Sequence, residues 1–110
     1  MRCPFCAFVR GLGPRPESLD VSDDVISFVP LNPIVDGHRL FVPTTHVEDA
    51  AHDPALTGRV FARASAWAGA GRPFNLITST GSAATQTVFH LHVHYVPRSP
   101  GDGLLLPWSE

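Results

Sequence analysis

Between Gln86 and Pro97 the chain alternates residue types with a period of two, reading Gln-Thr-Val-Phe-His-Leu-His-Val-His-Tyr-Val-Pro. In an extended strand, side chains at i, i+2 and i+4 share one face. The spacing therefore predicts a strand over 87–97, with His90, His92 and His94 on one face. Phe89, Leu91, Val93 and Tyr95 would point the other way, into a core. A face of this kind concentrates groups that titrate near neutral pH. It can bind a metal. It can carry out nucleophilic and acid–base chemistry, since imidazole forms covalent phosphoryl adducts. It can also be a solvated strand face with no role.

The rest of the chain supplies short elements around that strand. Ser18 to Val21 and Val25 to Pro30 read as a hairpin about Ser22, Asp23 and Asp24. Leu40 to Pro43 is a further apolar run. Asp53-Pro54 is a helix start, an N-cap acceptor followed by proline at the first helical position. Leu56, Val60, Ala64 and Trp67 recur at helical spacing, which predicts one apolar stripe with Trp67 in the core. Gly69 and Gly71 end that helix, and Phe74 to Thr78 reads as another strand. The order β-β-β-α-β-β specifies an α+β fold with an antiparallel β-sheet and one main helix.

With 110 residues the chain fits a single domain, 1–110. Residues 1–17 form an N-terminal segment with a turn or short helix and then a Gly/Pro-rich loop, Gly11 to Pro16. Residues 101–110 form a C-terminal tail. The net charge of -2 leaves no basic face for a nucleic-acid polymer. No window approaches the ~18 to 20 apolar residues of a membrane span. No apolar signal region follows Met-Arg-Cys-Pro-Phe-Cys, so a cytoplasmic protein is expected. There, Cys3 and Cys6 are expected as metal ligands or redox groups rather than a structural disulfide, with unengaged thiols as the bland alternative. A redox dithiol needs a strand ahead of the motif, and here the motif begins at residue 3.

The segment HxHxHxx, preceded by Gln-Thr-Val and followed by Pro-Arg, resembles the signature strand of the histidine-triad (HIT) family. Phe28, Pro33, Gly37, His38, Val42, Pro43 and His46 are similar in spacing to that family's upstream block, with variation at Leu40 and Phe41. The resemblance implies the HIT-like fold and an enzyme, a hydrolase or transferase of nucleotide phosphoanhydrides, phosphoramidates or phosphoesters. It implies that His92 attacks the α-phosphorus and forms a nucleotidyl-histidine. His94 would donate a hydrogen bond to the phosphate, and His90 and His38 would support the triad. Phe28, Leu31, Ser79, Gln86, Thr87 and His94 would meet the nucleotide-like small-molecule substrate.

Small bacterial-type members carry an N-terminal CxxC, and the resemblance implies a structural zinc held by Cys3, Cys6, His46 and His90. It also implies a homodimer, with the tail segment Leu104 to Trp108 covered by a partner subunit. The other course is for that tail to fold back on its own core. Three positions depart from the family pattern. Pro30 stands where an aspartate usually grips the ribose, Ser79 where an asparagine is common, and Thr85 where a glycine is common. The phosphate chemistry is thereby retained while sugar recognition is weakened. Two rival readings follow: a non-catalytic nucleotide-binding protein, and a purely metal-binding domain that uses all three histidines. His52 matches no motif and is expected at the surface.

Overall fold

Among the described residues, five short strands and two α-helices organise the fold. The computed structural model describes residues 3–12 and 16–108. Gly13, Pro14 and Arg15 of the expected loop lie outside the described residues. The strands are β1 (Asp20–Ser22), β2 (Val25–Phe28), β3 (Arg39–Pro43), β4 (Phe74–Ile77) and β5 (Val93–Pro97). All neighbours run antiparallel, in the order β1-β2-β3-β5-β4. The helices are α1 (Pro4–Val9) and α2 (Pro54–Ala68). This is the α+β arrangement that the sequence specifies.

Local chemistry sets the boundaries. Ser22 pairs with Val25, which leaves Asp23 and Asp24 as a two-residue turn. Asp23 sits at φ 54, a left-handed conformation that aspartate tolerates. The Leu56 N–H donates to the Asp53 carboxylate at 2.9 Å and caps α2. Pro54 opens that helix, and Gly69 closes it at φ 68.

Each face of the sheet has its own core. On one face, Val25, Phe41, Leu91, Val93 and Tyr95 pack against Leu56, Val60 and Ala64 of α2. On the other, Ile26, Phe28, Leu40 and Val42 pack against Phe5 of α1. Covering both faces is why β2 and β3 are buried at every position. Among the described residues, no helix is long and apolar enough to cross a membrane.

Two expectations are corrected. Trp67 is 50% exposed rather than in the core. It lies where β3 presents Arg39, and its ring covers that guanidinium at 4.3 Å while meeting the Phe41 ring at 6.2 Å. The strand expected over 87–97 begins only at Val93. Residues 88–90 bend instead, and the Leu91 N–H donates to the Val47 carbonyl outside any strand pairing. Leu91, Val93 and Tyr95 are nevertheless buried as expected, whereas Phe89 is 39% exposed.

Candidate active site and metal centre

The bend before β5 turns two histidines toward different partners. The His90 ring has its Nε2 2.9 Å from the Pro43 carbonyl. The His92 ring has its Nδ1 2.8 Å from the His90 carbonyl. A carbonyl oxygen only accepts, so each of those ring nitrogens carries the proton. His90 is left with a lone pair on Nδ1, and His92 with a lone pair on Nε2. Thr78, just after β4, donates its hydroxyl to the His92 carbonyl at 2.7 Å and fixes the backbone there. The Phe5 ring stands edge-on to both imidazoles, 5.7 Å from His90 and 5.2 Å from His92.

A second chain of bonds orients His94. The Ile34 N–H donates to His38 Nδ1 at 3.2 Å, so that nitrogen is unprotonated. His38 Nε2–H then donates to His94 Nδ1 at 2.9 Å. His94 therefore carries its proton on Nε2. Its ring centroid lies 5.2 Å from that of His92. With both rings neutral, a nucleophilic lone pair on His92 stands beside an N–H donor on His94.

Burial favours that neutrality. It pushes His38, His90 and His92 below the usual histidine range, because a charged imidazole loses hydration. His94 is pushed down to about 4, first by burial and then by His92 and His38 beside it.

The free Nδ1 of His90 faces three other ligand atoms. Cys3 Sγ is 3.3 Å away, Cys6 Sγ 3.5 Å and His46 Nδ1 3.1 Å. Cys6 Sγ is 3.3 Å from His46 Nδ1. One lone pair cannot be hydrogen-bonded to three such neighbours. Tetrahedral coordination with Zn–N and Zn–S bonds of ordinary length puts ligands roughly 3.3 to 3.8 Å apart, close to what is seen. The four atoms lie within 4.8 Å of one another, so two sulfurs and two nitrogens could hold one metal ion. Burial, then the neighbouring Cys3, pushes the Cys6 thiol up, with Arg10 a partial counterweight. A redox thiol needs the opposite bias.

Other expected residues are placed less favourably for a ligand. The Gln86 side chain is committed to its own loop. Its amide donates to the Glu48 carbonyl at 2.8 Å and to the Val88 carbonyl at 3.1 Å, and its oxygen accepts from Gly81 N–H at 2.8 Å. It has no donor left for a phosphate. Phe28 is 3% exposed between the Phe5 and Phe8 rings, so it offers no surface to a substrate. Leu31 is 97% exposed. Ser79 is half-buried with a hydroxyl that makes no hydrogen bond. Thr87 is exposed on a groove of about 1010 Å³ lined also by Cys3, Cys6 and His46, and neither His92 nor His94 is among its lining residues. His52 is exposed as expected and pairs with Asp49 at 2.7 Å.

Thr78 and Phe5 were not singled out from the sequence. Nothing in the pattern marks Thr78 apart from its place at the end of a strand.

Comparison with known proteins gives these residues a context. The family model described as HIT domain matches residues 19–101. An adenylylsulfatase of Arabidopsis thaliana is 31% identical over 109 residues, 93% of this chain, and this chain spans 55% of that protein's length. A zinc-bound histidine triad family protein from Mycobacterium smegmatis is 34% identical with a TM-score of 0.77, covering 96% of this chain and 81% of that one. A HIT family hydrolase from Clostridium thermocellum is 26% identical with a TM-score of 0.78, covering 96% of this chain and 97% of that one.

Proposed function

The chain belongs to the HIT domain family, and on that premise we propose that it is a nucleotide hydrolase or nucleotidyl transferase with His92 as its nucleophile. The carrying observation is the forced tautomer of His92. Its Nδ1 proton is held by the His90 carbonyl at 2.8 Å, which leaves Nε2 as a free base next to His94.

The Nε2 lone pair of His92 attacks the α-phosphorus. The bond from phosphorus to the leaving group breaks, and the leaving group takes the electron pair. The Nδ1–H bond to the His90 carbonyl stabilises the positive charge that develops on the ring. His94 Nε2–H donates to a phosphate oxygen, in the manner of an oxyanion donor. Water, or another acceptor, then attacks phosphorus. The N–P bond breaks, its electrons return to Nε2, and the proton of the water passes to solvent.

Cys3, Cys6, His46 and His90 would hold a structural zinc, whose contribution is rigidity, fixing the His90 carbonyl that orients His92. The cytoplasm, where thiols stay reduced, suits that donor set. Pro30 has no side-chain acceptor and Ser79 has only a short one, so ribose contributes little to specificity. The Arabidopsis relative makes adenylyl sulfate a substrate to assay first, beside a nucleoside phosphoramidate. The test is multiple-turnover release of nucleoside monophosphate from both. Wild type is expected to turn over, and a folded His92→Ala variant to lose at least about 10³-fold. Equal rates in the two proteins would rule this function out.

We also propose a homodimer. Leu105 and Trp108 in the tail are 78% and 77% exposed, more apolar surface than an isolated tail segment usually shows to water. Sedimentation across a concentration series is expected to show a dimer, and a monomer throughout would oppose it.

A further inference from the structure

β3, which follows His38, and β5, which carries His94, have a second cleft on their reverse side. Arg39 and Tyr95 follow those histidines in sequence and are cross-strand partners in the β3–β5 register. Successive strand residues point to opposite faces, so Arg39 and Tyr95 face the α2 side. There they line a cleft of about 220 Å³ with Arg72, Trp67, Ala68 and Val29.

Among the described residues, no carboxylate contacts the Arg39 or Arg72 guanidinium in this cleft. Arg39 is 8% exposed, yet it makes no ion pair. Its Nε donates to Ser27 Oγ at 3.0 Å, and its Nη2 donates to the Ser18 carbonyl at 2.6 Å and the Ser27 carbonyl at 3.4 Å. All three acceptors are neutral. Nη1 makes no hydrogen bond. No buried side-chain nitrogen or oxygen is left unbonded among the described residues, so Nη1 keeps accessible surface, and Arg39 lines the cleft. The same reasoning opens the Tyr95 hydroxyl, which makes no hydrogen bond although its residue is 6% exposed. Asp20 favours the Arg39 charge from beyond contact distance. Arg72 brings a second guanidinium, again without an ion pair. Both guanidinium groups line the same cleft.

We infer that this cleft is a second binding site, for a small phosphate-type oxyanion, held by Arg39 Nη1, Arg72 and the Tyr95 hydroxyl. Guanidinium groups with spare N–H donors suit such oxygens geometrically. The Trp67 ring against the Arg39 guanidinium makes occupancy visible. The site does not depend on the nucleotidyl chemistry proposed for the other face.

The test uses inorganic phosphate and the full chain. Trp108→Phe removes the other tryptophan, so the emission of Trp67 alone is followed during titration, with chloride at matched ionic strength as the control. A saturable change with phosphate and none with chloride is expected. Arg72→Gln, an exposed position with no internal bonds to lose, is expected to weaken the response at least tenfold. Arg39→Lys keeps the buried charge but removes Nη1, and is expected to weaken it similarly. His92→Ala is expected to leave it unchanged, which separates this site from phosphate held at the triad. No saturable response, an equal response to chloride, full affinity in Arg72→Gln, or loss in His92→Ala would overturn the inference.

Discussion

His38 Nε2 stands 2.9 Å from His94 Nδ1, and this single hydrogen bond decides which nitrogen His94 offers to a ligand. Because Ile34 N–H occupies the far nitrogen of His38, the proton in the shared bond belongs to His38. His94 is thereby compelled to present Nε2–H.

Removing His38 frees His94 to adopt either tautomer and to rotate. His38→Ala is expected to lower kcat by roughly 10- to 100-fold with a smaller change in KM, as losses of orienting hydrogen bonds do. His38→Asn keeps a donor amide near Nδ1 and is expected to recover part of the loss. Steady-state kinetics on the three proteins check this.

The pH dependence follows from the same pair. The folded protein holds His94 at about 4, below the ordinary value of 6.5. An imidazole depressed in the fold binds protons more weakly there than in the unfolded chain. Its contribution to stability is therefore complete above 6.5 and is lost as pH falls toward 4. Melting temperatures are expected to be flat above neutrality and to fall through that window. His94→Gln is expected to flatten the acid side of the profile. A melting temperature that rises on acidification would have the wrong sign.

Thr78 anchors the His92 carbonyl at 2.7 Å. Thr78→Val keeps the shape and deletes the hydroxyl, at a stability cost of about 1 kcal/mol. The larger effect is expected in kcat, about tenfold, because the nucleophile's backbone is no longer held. Thr78→Ser is expected to restore turnover, measured at saturating substrate.

Zinc removal tests the other cluster. Metal analysis is expected to find one zinc per chain in wild type and none in Cys3→Ser. The variant, or wild type treated with chelator, is expected to lose about 2 to 4 kcal/mol, a fall in Tm on the order of 10 to 20 °C. Metal retained without the cysteines would favour the reading in which the triad itself binds it.

Thr85 occupies a left-handed conformation, φ 70, directly before Gln86. For a β-branched residue this is strained by about 1 kcal/mol or more. Thr85→Gly is expected to raise Tm by a few degrees, because relief of the strain exceeds the extra chain entropy. Thermal melts decide the sign.

Much of this was legible in the residues. The Asp53-Pro54 cap, the hairpin (whose turn is one residue shorter than expected, since Ser22 joins β1) and three of the four residues expected inward, Leu91, Val93 and Tyr95, rest on local rules. The convergence of Cys3, Cys6, His46 and His90 was implied by family resemblance and is met in space. What escaped depends on register and crossing. Thr78 matters only because β4 lies against β5 at that height. Gln86 looked like a donor for phosphate, but the loop after Gly81 consumed its amide. The expected strand gives way to a bend at 88–90, where His90 meets the Pro43 carbonyl of β3, a long-range contact that no alternation reveals. Trp67 left the core because its neighbour on the sheet is Arg39.

The most direct measurement is to quench a single turnover of an adenylylated substrate and weigh the intact protein. Wild type should carry one adenylyl group, mapped by peptide sequencing to His92 and released by water, with no adduct in a folded His92→Ala variant. Turnover without any adduct, or an adduct that persists when His92 is gone, would contradict the account.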